Sequence, residues 1–211
     1  MLRKHLLSDT GIYHLYNRGV DRRNIFEDNE DYSRFLSLMF LCNGSNTVQR
    51  GMVSSGDTTF YDRGENLVEI YAYCLMPNHF HFLLRQRGDN GVSKLMKKIL
   101  TGYAVYKYER RGSLFEGPYK SSHIENDRYF GYLVHYIHLN PLVLSTKKDN
   151  KDFARQIVEY PYSSYGAYAL GLENELLSKE TIPVDVCEIK SAEQMISIWR
   201  QAKEVRKELE K

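Results

Sequence analysis

Cysteine is scarce, with only Cys42, Cys74 and Cys187 in a chain of 211 residues. An odd, unclustered set excludes a disulfide scaffold and offers no CxxC metal pair; it suits a reducing compartment, so the expected setting is cytoplasmic. Long hydrophobic runs are missing too. No apolar stretch reaches the roughly 18 residues that a membrane span needs. The opening MLRKHLLSDTG holds basic residues but too little apolar sequence for a secretory signal. No membrane partner is therefore expected. Charge of one sign is not in excess: 29 basic residues face 27 acidic ones, a net of +2, so total charge does not announce a nucleic-acid partner. Internal repeats and low-complexity tracts are absent.

Hydrophobic residues make up 42% of the chain, which is enough to bury a core. The length suits one domain with an extension, or at most two small ones. Residues 1–150 carry 20 basic and 16 acidic side chains, a net of +4, whereas residues 151–211 carry 9 and 11, a net of −2. This mild basic bias permits phosphate binding without demanding it. The 17 tyrosines are more distinctive, since they can stack on bases, fill a core or do chemistry.

Residues 12–18, IYHLYNR, alternate as a strand, and 28–41 read as a helix with an acidic first turn. Residues 43–66 are polar and Gly/Ser/Thr-rich, a long loop with room for a short hairpin and a composition that favours disorder. Residues 67–76 and 79–85 are β-branched and aromatic, with Met76-Pro77-Asn78 as turn chemistry between them, and predict an antiparallel hairpin. Residues 91–109 follow a helical period. Residues 113–124 suggest a short irregular strand with a Gly-Pro break. Residues 127–139 form another helix, capped by Asn126 or Asp127 and ended by Pro141. Residues 145–190 look loop-rich, and 191–210 amphipathic and helical. The order β-α-β-β-α-β-α predicts an α+β fold, a ferredoxin-like antiparallel sheet under helices, over residues 1–145. Residues 146–211 follow as a C-terminal helical and loop extension.

His79-Phe80-His81 is the sharpest local feature. Residues two apart on a strand share a face, so both imidazoles project together while Phe80, Phe82 and Leu84 point into the core. That is half a metal site; two half-buried histidines on an ordinary strand would look the same. Two ligands are too few for zinc, no cysteine pattern completes the set, and a third ligand must come from elsewhere. Along the helix, Tyr129, Tyr132, Tyr136 and Asn140 make a stripe beside the apolar one. It reads either as the border of a site or as amphipathic edge residues with wet hydroxyls. Taken together the two features are coherent. A tyrosine hydroxyl, with a pKa of about 10, is a weak nucleophile. It attacks a phosphodiester when a metal withdraws charge from the phosphate oxygens. Histidine with oxygen ligands suits Mg²⁺ or Mn²⁺, the second more readily.

Four segments, YHLYNRG at 13–19, YAYCLMPNHFHFLLR at 71–85, FEGPYKSSHIEND at 115–127 and YIHLNPL at 136–142, resemble the single-tyrosine HUH transposases. The likeness is greatest to the REP-associated tyrosine transposases and covers roughly residues 10–145. It implies the HUH endonuclease fold, with His79 and His81 as metal ligands, Asn140 as the third ligand and Tyr136 as nucleophile. It also implies cleavage and rejoining of single-stranded, hairpin-bearing DNA through a 5′-phosphotyrosine, with a divalent metal. The family contains monomers and homodimers, and the sequence leaves that choice open. Pro118 stands where the family commonly has a basic residue. Arg18, Arg22, Arg23 and Lys120 are candidate DNA contacts, with Arg128 and the helical Lys94, Lys97 and Lys98 as weaker ones. Tyr13, Tyr71 or Tyr73 are candidates for stacking bases. His14 alternates with Tyr13 and reads as a residue behind the metal ligands.

Two other readings use the same residues. One is a non-catalytic module that binds single strands on a ferredoxin-like sheet. The other is a metal-dependent hydrolase that uses water, with Tyr136 structural; Tyr132 is the substitute nucleophile if the helix register shifts by a turn.

Overall fold

The computed structural model describes residues 7–48, 61–107, 113–144, 150–183 and Ser197. The elements run β1 (Ile12–Arg18), α1 (Asn29–Cys42), β2 (Val68–Met76), β3 (His79–Gln86), α2 (Gly91–Tyr106), β4 (Lys120–Ile124), α3 (Asp127–His138), α4 (Asn150–Glu159) and α5 (Tyr165–Ala169). The four strands form one antiparallel sheet in the order β2-β3-β1-β4. This is the α+β, ferredoxin-like arrangement expected from the order of elements.

The period of two along β3 divides the core. Phe80, Phe82 and Leu84 join Leu15 of β1 and Phe35, Leu38 and Met39 of α1, with Leu95, Met96 and Ile99 of α2, in one buried cluster. Leu83 lies on the other face with Phe130, Leu133, Val134, Tyr136 and Ile137 of α3. Helices therefore cover both faces, α1 and α2 on one and α3 on the other. Each buried large apolar side chain stabilises by about 1.5–3 kcal/mol before the entropy of ordering it is counted.

Local chemistry fixes the helix starts. Asp28 caps α1, its carboxylate accepting from the Asp31 N–H at 2.9 Å. Asn126 caps α3, accepting from the Tyr129 N–H at 3.1 Å. After α3 the chain continues as a tight 3-10 turn over Asn140–Leu144, so the α-helix stops before Pro141 as its chemistry requires.

In β2 a bulge between Ile70 and Ala72 shifts the register, so that Tyr71 and Ala72 both join the α3-side cluster. Every residue of β2 is buried, although it is an edge strand. The covering is residues 160–181. Leu75 N donates to Tyr162 O at 2.9 Å, Ser164 N to Tyr73 O at 3.0 Å and Ser178 N to Ile70 O at 2.9 Å. The Tyr160 and Tyr168 hydroxyls donate to Leu75 O and Tyr71 O, each at 2.5 Å.

The extension is thus less loop-like than expected. It holds α4 and α5 within the stretch read as loop-rich. The sequence of α4 has only Phe153, Ala154, Ile157 and Val158 to carry a helical period, and Ile157 is its fully buried anchor. In the long 43–66 segment the two ends pair, Ser45 N with Glu65 O at 2.9 Å and Asn46 N with Arg63 O at 3.0 Å. Residues 49–60 of it, the disorder expected there, and the helix expected over 191–210 lie outside the described residues, apart from Ser197. Among the described residues, no helix is long and apolar enough to cross a membrane.

Candidate active site

The α3-facing side of the sheet carries the polar cluster. The registers Tyr16↔His81 and Tyr16↔Lys120 set β1, β3 and β4 side by side. His79 and His81, two apart on β3, stand with ring centroids 5.1 Å apart and planes at 88°. His14 of β1 stacks on His81 at 5.1 Å and 17°, and its Nε2 lies 2.9 Å from His81 Nδ1. Tyr136 descends from α3 onto the same place. Its ring meets His81 edge-on at 5.6 Å and His14 at 6.1 Å. Tyr136 is 8% exposed, His81 2% and His14 7%. Three sequence-distant elements therefore bring two strand histidines, a third histidine and one helix tyrosine into contact.

Asn140 behaves differently from a simple neighbour of Tyr136 on the helix face. It is buried in the turn after α3, and its Nδ2 donates back to Tyr136 O at 2.9 Å and to Ile137 O at 3.4 Å. The amide thus closes the C-terminal end of α3, where the last carbonyls lack helical partners. With Nδ2 committed there, Oδ1 is the atom remaining to act as a donor to a cation.

Among the described residues there is no group of three or more His, Cys, Asp or Glu able to hold a metal. The expected donor set of two imidazoles and an amide oxygen is of a different composition, and the hydrogen bonds around His79 suit the role expected of that ring. Asn78 Nδ2 donates to Arg22 O at 3.1 Å, which turns Asn78 Oδ1 toward His79 Nδ1, 2.6 Å away. A proton donated from Nδ1 to that oxygen would leave a neutral His79 with its lone pair on Nε2. A nitrogen lone pair on a partly buried ring fits a divalent ion that accepts mixed nitrogen and oxygen ligands.

The candidate DNA contacts lie at several places. Arg18, opposite His79 in the β1–β3 register, forms a two-pronged pair with Glu116, at 2.9 and 3.1 Å. Arg18 beside Glu116 holds that carboxyl below the usual range. Arg23 is tied to Asp21 and to Val20 O, and the Arg22 side chain is exposed. Lys120 Nζ lies 5.7 Å over the Tyr16 ring, on the histidine face. Lys98, by contrast, donates to Gly44 O and Asn46 O at 2.7 and 3.0 Å, a structural role on the other side of the sheet. The base-stacking role expected of Tyr13, Tyr71 or Tyr73 is corrected: all three are buried at 4% exposure or less, because their rings fill the core and leave no face for a base.

Tyr132, the substitute nucleophile, stacks beside Tyr129 at 6.2 Å, and Tyr136 is in ring contact with His14 and His81. His138 is a buried packing residue whose Nε2 meets Ser164 Oγ at 2.8 Å, and burial pushes its pKa down to about 3. Sequence reasoning gave Asn78 a role only in the turn, and Tyr16 none. Their signals were present: Asn78 directly precedes the H-x-H pair in a turn, and Tyr16 follows His14 by two on a strand.

Residues 63–140 match the family model for IS200-like transposases. That segment contains both histidines, Tyr136 and Asn140. Among solved structures, a REP-associated tyrosine transposase bound to a REP hairpin aligns with a TM-score of 0.55 and 15% identity, covering 90% of this chain and 95% of that one. The structural likeness establishes a shared fold over most of the chain. No curated protein matches the chain.

Proposed function

We propose that this chain, whose residues 63–140 match the family model for IS200-like transposases, cleaves and rejoins single-stranded DNA through a tyrosine–DNA intermediate. The observation that carries the reading is the contact of Tyr136 with His81, ring to ring at 5.6 Å, on the face that also holds His79. Nucleophile and metal-ligand chemistry arrive there from different elements, which a binding module has no need to arrange.

In this reading the Tyr136 hydroxyl attacks a backbone phosphorus. The new Tyr–O–P bond forms as the P–O3′ bond breaks, and the 3′ oxygen leaves and takes up a proton. The DNA stays attached through a 5′-phosphotyrosine, and attack by a 3′-OH reverses the step. No energy-rich cofactor is needed, because one phosphodiester is exchanged for another. His79 and His81, with Asn140 Oδ1, would hold a divalent ion, Mg²⁺ or Mn²⁺, which supplies charge withdrawal from the phosphate oxygens. The chain's own groups orient the reaction. The α3 packing sets the Tyr136 ring against the histidines, and Asn140 fixes the end of that helix. Arg18, Arg22, Arg23 and Lys120 would track the phosphates of a hairpin-bearing single strand. The hydrolase alternative requires Tyr136 to be only structural; its contact with the histidines favours the nucleophile.

The test is a covalent-adduct assay on labelled single-stranded DNA from the gene's flanks, run under denaturing conditions with Mn²⁺ or chelator. A band retained by the wild-type chain with Mn²⁺, and lost in Tyr136→Phe, His79→Ala and chelator, is expected. Cleavage without adduct that persists in Tyr136→Phe would instead support the water-using hydrolase. Tight, metal-independent binding without cleavage would support the non-catalytic module.

A further inference from the structure

The two histidines are each held from behind, by different parts of the chain. Behind His79 stands Asn78, and behind Asn78 a strained loop. Asp21 and Arg22 have φ of 55° and 59°, a left-handed conformation that non-glycine residues seldom adopt. That conformation presents the Arg22 carbonyl to Asn78 Nδ2 at 3.1 Å. The turn is pinned further by Gly19 N on Asn78 O at 2.9 Å, and by Ile25 N and Phe26 N on Pro77 O at 2.7 and 3.0 Å. The side-chain amide of Asn78 is therefore oriented: nitrogen to the loop, oxygen to His79 Nδ1 at 2.6 Å. An oxygen there can only accept, so the imidazole nitrogen must donate.

Behind His81 stands His14. Its Nε2 lies 2.9 Å from His81 Nδ1, and the near-parallel stack at 17° keeps the two rings in register. Two imidazole nitrogens at that distance share one proton between a donor and an acceptor. If His81 is to offer a lone pair at Nε2, the proton sits on its Nδ1 and His14 Nε2 accepts it.

We propose that Asn78 and His14 are positioning residues that hold His79 and His81 as the Nδ1–H tautomers, so that both rings present Nε2 lone pairs to one divalent cation. The proposal rests on the metal reading given above, and it assigns work to two residues and a loop that the cleavage chemistry itself does not use. Each ring would otherwise divide itself between two tautomers and several orientations, and only one combination can ligate. The strained 21–22 loop then acts as part of the active site without touching DNA or metal, because the Arg22 carbonyl orients Asn78.

The first arm of the test needs no variant and no metal. Long-range ¹H–¹⁵N correlation spectra of the ¹⁵N-labelled full chain would be recorded at mildly alkaline pH. His79→Gln and His81→Gln supply the assignments. A protonated Nδ1 and an unprotonated Nε2 in both rings are expected, and an Nε2–H form of either ring overturns the proposal for that ring. The second arm measures Mn²⁺ affinity by electron paramagnetic resonance without DNA. Asn78→Ala and His14→Phe, the latter keeping the ring stack but no acceptor, are expected to bind Mn²⁺ roughly 10–100-fold more weakly. His14→Gln, which keeps an acceptor, should recover most of the His14→Phe loss, whereas Asn78→Asp, which keeps an acceptor for His79 but loses the donor to the Arg22 carbonyl, should recover only part of the Asn78→Ala loss. Unchanged Mn²⁺ binding in Asn78→Ala and His14→Phe, alongside its loss in His79→Ala and His81→Ala, would sink the positioning roles alone. Unchanged binding in His79→Ala and His81→Ala would overturn the metal reading, and with it the purpose assigned to both residues. Thermal melts of each variant separate these results from unfolding.

Discussion

The imidazole of His138 and the hydroxyl of Ser164 meet at 2.8 Å, completely buried, under the last turn of α3. The same Ser164 hydroxyl accepts from Tyr73 N at 2.9 Å and lies 3.2 Å from Tyr73 O. One oxygen thus joins the helix that carries Tyr136, the edge strand β2 and the 160–181 segment that covers that edge. An open β2 edge would expose a row of unpaired backbone groups, and here the same chain satisfies them. The position of α3 on the sheet therefore depends on a segment outside the residues that carry the family match.

Ser164→Ala is accordingly expected to lower stability by about 1–3 kcal/mol, the cost of leaving buried polar groups without their partner. Ser164→Thr, which keeps a hydroxyl, should lose less. Urea denaturation of both variants checks this, and an Ala variant as stable as the parent would show that the hydroxyl is dispensable.

Parts of this arrangement were legible beforehand for plain reasons. A strand has a period of two, so the shared face of His79 and His81 followed from spacing alone. The capped, amphipathic α3 and the Pro77-Asn78 turn followed from local chemistry. The edge covering did not, because it runs through backbone groups of Tyr162, Ser164 and Ser178, whose sequence neighbourhood carries no strand period. Nor did the β2 bulge, which places Tyr71 and Ala72 on one face and buries a tyrosine that composition alone offered to DNA. The contact of His14 with His81 was legible only as a face: alternation gives the side of the sheet, whereas the β1–β3 register gives the neighbour.

Arg18 and Glu116 make a separate prediction. Their two-pronged pair occupies the guanidinium that a phosphate would need. Glu116→Gln removes the competing charge and should raise affinity for single-stranded DNA several-fold at low salt. Arg18→Ala should weaken binding and reduce the slope of log affinity against log salt by about 0.7, one phosphate's worth for a single strand. Fluorescence anisotropy titrations over a range of salt concentrations provide the measurement. Weaker binding by Glu116→Gln would mean that the pair is needed to shape the site rather than competing with DNA.

Cys42 sets an alkaline limit. It is buried against the α1–α2 side of the core, and burial raises its thiol from 9.0 to about 11, a shift that Lys98 partly offsets. A raised acid pKa means that the unfolded chain loses its proton first. The stabilisation is full below pH 9.0 and is lost as pH climbs toward about 11. The slope from this group is at most about 1.4 kcal/mol per pH unit. Denaturation curves across that interval should show a shallower decline in Cys42→Ala than in the parent. Equal slopes would place the alkaline transition on other groups.

Gly19 and Gly131 should respond in opposite directions to the same substitution. A Cβ on Gly19 would stand 2.2 Å from Arg23 O, a backbone atom, so the loop carrying Asp21 and Arg22 must move to admit it. Gly19→Ala is expected to cost about 1–3 kcal/mol, as overpacking does. Because that loop orients Asn78 through the Arg22 carbonyl, Mn²⁺ affinity should fall along with stability. Gly131 lies within α3 with nothing within 4 Å of its Cβ position. Alanine there removes only backbone freedom from the unfolded chain, so Gly131→Ala should stabilise by about 0.5–1 kcal/mol. It leaves the Arg22–Asn78 contact untouched, and Mn²⁺ affinity should stay at the parental value. The pair separates two causes that a single destabilised variant would confound. If Gly19→Ala lost stability but kept full Mn²⁺ affinity, the 20–23 loop would be a structural turn only, and the orientation of Asn78 would have to come from the Pro77-Asn78 turn itself.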